Sequence, residues 1–125
     1  QRQMCIRDSY GGERFLTAPL MKWMFGKYVS DPAQRGNDLM SPVRASAERL
    51  RGLPATLIVV AENDILRDEG EAMGRRLDEA GVEVTTVRFN GVVHDWGMLN
   101  GFAALHPTRT LIRLVGSVLR DYLEK

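Results

Sequence analysis

The sequence predicts an α/β fold in which parallel strands carry covering helices, and three stretches support that prediction. Leu57-Ile58-Val59-Val60 is a run of four large apolar residues without alternation, the pattern of a strand covered on both faces. Met73, Leu77 and Ala80 follow at i, i+4 and i+7, the spacing of an amphipathic helix. A β-branched, partly alternating run from Glu83 to Phe89 then supplies a second strand, with Val84 its first apolar residue. Strand, helix and strand in this order make a βαβ unit, which requires the two strands to be parallel.

Thr17 is a plausible N-cap, with Pro19 in the first turn, for a helix reaching Tyr28. Its residues Leu20, Met21, Trp23, Met24, Phe25 and Tyr28 cover more than half its circumference, which predicts a buried helix or one lining an apolar cavity. Ser30-Asp31-Pro32 ends it, and Ser41-Pro42 is a further break. Ala45 to Leu50 reads as a short helix before Gly52-Leu53-Pro54 leads into the first strand. Asp68 and Glu71 form a D-x-x-E pair that predicts a capping box for the next helix, and Gly81 its stop. That gives Asp68 and Glu69 a structural role at a helix start, where the dipole favours acids. The second strand is expected to close at Asn90-Gly91, with a loop from Asn90 to Gly97. From Pro107 the chain reads as helix to its end, with Leu111, Leu114, Val115, Val118 and Tyr122 on one face and Arg113, Arg120 and Asp121 opposite.

Bulk properties narrow the function classes. A chain of 125 residues suffices for one domain with a core, and 44% hydrophobic and 26% charged residues are ordinary values. A formal net charge of +1 gives no reason to expect nucleic acid or a membrane surface as partner. No apolar run has the length of a membrane span. The single cysteine, Cys5, rules out a disulfide within one chain, and a cytoplasmic setting follows as the default. The two histidines, His94 and His106, are twelve positions apart and lack metal-ligand spacing, so no metal or other cofactor is expected. The oligomeric state is left open by the sequence.

Met4-Cys5-Ile6-Arg7-Asp8-Ser9 resembles the translated end of a sequencing-library adaptor, so residues 1–8 are expected to be non-native and 9–125 to be the domain. Asp8-Ser9-Tyr10-Gly11-Gly12 imitates a nucleophile elbow, but Arg7 stands where the first glycine belongs and no strand precedes it. Ser9 is therefore read as a decoy.

The chemistry concentrates at the strand ends. Glu62, Asn63 and Asp64 follow the first strand, and His94 follows the second. An acid and a histidine just past parallel strands meet at the rim where open α/β sheets bind ligands. Asp64 competes for the acid's role with Glu62 and Asp68, and it is also a natural turn residue whose side chain bonds the backbone two residues on. His106, before the last helix, reads as a cap-region or surface residue.

Leu53 to Ala72, L-P-A-T-L-I-V-V-A-E-N-D-I-L-R-D-E-G-E-A, closely resembles a stretch of the hormone-sensitive-lipase-like α/β-hydrolases, L-P-P-A-L-V-x-T-A-E-x-D-x-L-R-D-E-G-E-A. These are bacterial-type carboxylesterases. Arg88 to Trp96, R-F-N-G-V-V-H-D-W, is similar to their R-Y-x-G-x-x-H-D/G-F, and Phe15-Leu16-Thr17 with Met21, Trp23 and Tyr28 resembles their pocket-side helix. The resemblance implies the carboxyl-terminal part of an α/β-hydrolase fold, truncated. It implies Asp64 as acid and His94 as base of a Ser-His-Asp triad acting on small acyl esters, with Trp23 and Trp96 near the substrate. Ile65 and Trp96 replace a common proline and phenylalanine. The family's H-G-G-G and G-D-S-x-G-G motifs are missing, so the serine and oxyanion hole are expected upstream, and this chain alone is expected to be inactive and poorly soluble. The alternative is a complete small α/β ligand-binding module with Asp64, Asp68 and His94 at its rim.

Overall fold

Two parallel strands and the helix between them form the middle of the molecule. The computed structural model describes residues 15–124. Residues 1–8 and Ser9, with the expectations placed on them, lie outside that range. Helix α1 spans Ala18–Tyr28, α2 Ala47–Leu50, α3 Arg67–Glu79 and α4 His106–Leu123. Strand β1 spans Thr56–Asn63 and β2 Val84–Val93, and short 3-10 turns occupy Pro32–Gly36, Pro42–Arg44 and Asn100–Phe102. Among the described residues the sheet has these two strands, paired in parallel from Thr56 opposite Val84 to Ala61 opposite Phe89.

The unalternating apolar run of β1 is explained by cover on both faces. Ile58 packs with Leu77, Ala80, Val82, Ala45 and Leu50 on the α3 side. Val59 and Ala61 pack with Val92, Trp96, Phe89 and Leu111 on the α4 side. Helix α3 lies close to the sheet because Gly70 and Gly74, one turn apart, face it. A Cβ on Gly70 would come within 2.6 Å of Val60 Cγ1, and one on Gly74 would collide with the Thr86 hydroxyl. Gly81, at φ +80, and the bond from Val82 N–H to Leu77 O end α3 as expected.

Four expectations are corrected. Helix α3 starts at Arg67, not at an Asp68 cap, and no side chain caps it; Asp68 instead accepts a bond from Arg67 Nε at 3.0 Å. The turn before the helix is organised by Asp64, which makes a separate cap redundant. Strand β2 does not close at Asn90-Gly91 but continues to Val93, because Gly91 at φ +73 lets the chain bulge and rejoin β1. Helix α1 has the expected bounds and the Thr17 cap, yet none of its residues is buried, and Trp23 is 60% exposed. Met21 and Phe25 are half-buried, with the Arg35 guanidinium 6.0 Å from the Phe25 ring centre, while Leu20, Trp23, Met24 and Tyr28 stand exposed. On α4, Leu111 packs with the cluster around Trp96 and Leu114, Val115 and Val118 are half-buried, whereas Tyr122 is exposed.

Candidate active site

Asp64 occupies the first position after β1, in the turn leading to α3. It is nearly buried, with 9% of its surface exposed, and both of its oxygens are engaged. Oδ1 accepts the N–H of Leu66 at 2.8 Å, the Asx turn that starts the helix. Oδ2 lies 2.8 Å from His94 Nδ1. The two readings of Asp64, turn residue and partner of a histidine, are both realised, one oxygen for each.

His94 follows β2 directly, and the bulge decides that it does. Between the pairs Ala61–Phe89 and Asn63–Val93, β1 advances two positions while β2 advances four. With the earlier register Val92 would stand opposite Asp64; the two extra residues bring His94 there. The carboxylate can only accept, so Nδ1 donates in this bond, and in the neutral ring Nε2 carries the lone pair. That nitrogen faces away from Asp64, 3.4 Å from Asp95 Oδ1, and the His94 side chain remains 25% exposed. Asp95 itself adopts φ +58, a left-handed conformation that aspartate tolerates better than most residues.

A cavity of about 390 Å³ adjoins the pair, lined by Asp64, His94 and the apolar Ile58, Val60, Leu66, Met73 and Val43. Glu69, at the start of α3, also lines it. A larger groove of about 570 Å³ lies between α3 and β2, bordered by Glu71, Arg75, Asp78 and Arg88, and is lined by none of Asp64, His94, Trp23 and Trp96. Trp23 and Trp96 do not line the cavity beside His94. Trp23 stands exposed on α1, and Trp96 is buried against Phe89 with ring centroids 5.4 Å apart. His106 begins α4 and is exposed. Among the described residues, no group of three or more His, Cys, Asp or Glu side chains could hold a metal ion.

Glu62, considered for the acid's place, performs another task. Its Oε2 accepts the N–H of Gly91 at 2.7 Å, across the strands and at the bulge. Arg67 Nη1 donates to the Glu62 carbonyl at 2.8 Å, fixing the end of β1. Strand periodicity carries no sign of this arrangement, since it exists only because β2 bulges.

Comparison with known proteins places these features in context. The family described as alpha/beta hydrolase fold matches residues 1–98. An arylesterase of Saccharolobus solfataricus is 37% identical over 94 residues, which cover 75% of this chain and 28% of the relative. An ethyl acetate hydrolase of Pseudomonas putida is 37% identical over 95 residues, covering 74% of this chain and 29% of the relative. The crystal structure of a thermostable esterase from Pseudomonas putida is 44% identical and superposes with a TM-score of 0.85, over 87% of this chain and 34% of that one. The chain therefore spans less than a third of the length of these curated relatives.

Proposed function

This chain belongs to the α/β-hydrolase fold family, and from that premise we propose that it carries the acid and the base of a serine carboxylesterase acting on small acyl esters. The observation that bears most weight is the 2.8 Å contact between Asp64 Oδ2 and His94 Nδ1 at the carboxyl ends of two parallel strands. The relatives' names, an arylesterase and an ethyl acetate hydrolase, support the substrate class.

In this reading a serine outside the chain attacks the ester carbonyl while His94 Nε2 takes its proton. The same nitrogen later delivers that proton to the leaving alcohol. Asp64 holds the ring in the tautomer with Nδ1–H and stabilises the imidazolium that forms. Backbone N–H groups, also outside the chain, bind the oxyanion. No step calls on a metal or an organic cofactor. The apolar faces of α1, Trp23 included, form one wall of the acyl pocket once the rest of the protein packs on them. Trp96 contributes from beneath by fixing the loop that carries His94. The 125 residues alone are inactive, and the protein works in the cytoplasm.

The test is ester turnover by the full-length protein containing this segment. His94→Ala is expected to lower kcat on a short-chain nitrophenyl ester by about 10⁴- to 10⁶-fold while the melting temperature holds. Unchanged turnover with an intact fold would sink the proposal.

A further inference from the structure

We propose that Glu62 is a positioning residue for His94, acting through the backbone of Gly91; the proposal rests on the reading of Asp64 and His94 as acid and base. The bulge of β2 is what brings His94, in place of Val92, opposite Asp64. A bulge is a local loss of pairing and is not held by the ladder itself. Here the strand is secured at two points. Gly91 adopts φ +73, which a side chain disfavours, and its N–H is taken up by the Glu62 carboxylate at 2.7 Å instead of by a strand carbonyl. A bond from a backbone N–H to a carboxylate is stronger than a neutral one and fixes direction as well as distance.

The carboxylate is aimed from a rigid base. The Glu62 carbonyl accepts Arg67 Nη1 at 2.8 Å, while Arg67 Nε pairs with Asp68 at 3.0 Å, and the Arg67 side chain is only 12% exposed. The acid of the pair follows two residues after Glu62, so one short segment sets both partners: Asp64 directly, and His94 through the bulge. Glu62 touches neither the substrate nor the reacting atoms in this account. Its effect is to hold the imidazole where Nδ1 meets Asp64.

The experiment compares Glu62→Ala, Glu62→Gln and His94→Ala with the unaltered sequence in the full-length protein. A misplaced catalytic group costs on the order of 100-fold in rate, so Glu62→Ala is expected to lower kcat on a short-chain nitrophenyl ester by about 10- to 100-fold, with KM within about twofold. Glutamine still offers Gly91 an acceptor oxygen, so Glu62→Gln should recover most of that loss. A second readout does not depend on turnover: exchange of the His94 Nδ1 proton with solvent, followed by nitrogen-edited NMR. It should quicken in Glu62→Ala and not in Glu62→Gln. Unchanged kcat in Glu62→Ala, or a Gln variant as impaired as the Ala variant, would overturn the positioning role, and so would unaltered proton exchange. If His94→Ala retained full turnover, the esterase reading would fail while proton exchange still decided the role of Glu62.

Discussion

Asp64 shows how much one residue can carry. Its Oδ1 builds the turn that starts α3, and its Oδ2 meets His94, so the group that orients the histidine is itself oriented by the backbone of Leu66. Asparagine in its place keeps a carbonyl for Leu66 but turns its NH2, a donor, toward Nδ1, which must then accept, and this is the wrong tautomer for the base. Asp64→Asn is therefore expected to leave the unfolding midpoint nearly unchanged and to lower kcat by about 10⁴-fold, the loss seen when a triad's histidine is held in the wrong tautomer. Denaturation and turnover measured on one preparation check both halves. The contact between Asp64 and His94 was legible only through the resemblance: position after the strand left Glu62, Asp68 and an ordinary turn residue open, and the L-R-D context selected Asp64. Glu62 was visible only as a competitor. Its partner is a main-chain N–H, and no side-chain pattern records where a backbone donor is left over.

At the scale of elements, Gly70 and Gly74 let α3 lie close against the sheet. Gly70 faces Val60, a buried residue with a stiff β-branched side chain, at a separation that leaves no room for a methyl group. Gly70→Ala should gain about 1 kcal/mol in helix propensity but incur an overpacking cost of about 1–3 kcal/mol. Net destabilisation is expected, read as a lower urea midpoint; a higher midpoint would show that α3 shifts freely. The helices and both strands were legible because their apolar periods differ. The end of β2 was not, since Asn-Gly is a strong turn signal and nothing local distinguishes a turn from a bulge that later rejoins its partner. The start of α3 was misread for a related reason: the D-x-x-E spacing fits a capping box, but the turn had already been organised four residues earlier by Asp64.

Across the whole molecule, a βαβ unit is exposed where an α/β hydrolase would be covered. The sheet of described residues has two strands, and a sheet so small is marginal without neighbours. Trp23, Met24, Leu20 and Tyr28 leave α1 with a broad exposed apolar surface. Amphipathic periodicity could indicate that α1 has apolar faces to bury, but not what covers them, because the spacing of apolar residues carries no information about a partner surface. This chain spans 34% of the similar Pseudomonas putida esterase structure. No described helix is long and apolar enough to cross a membrane.

In the proposed esterase, this segment supplies the acid and base while the nucleophile comes from elsewhere in the protein. Its most direct test is a fluorophosphonate probe, which bonds covalently to an activated serine, applied to the full-length protein and followed by peptide mass mapping. One labelled serine is expected, outside these 125 residues, with labelling abolished in His94→Ala. A label on Ser9, or labelling that proceeds unchanged without His94, would contradict it.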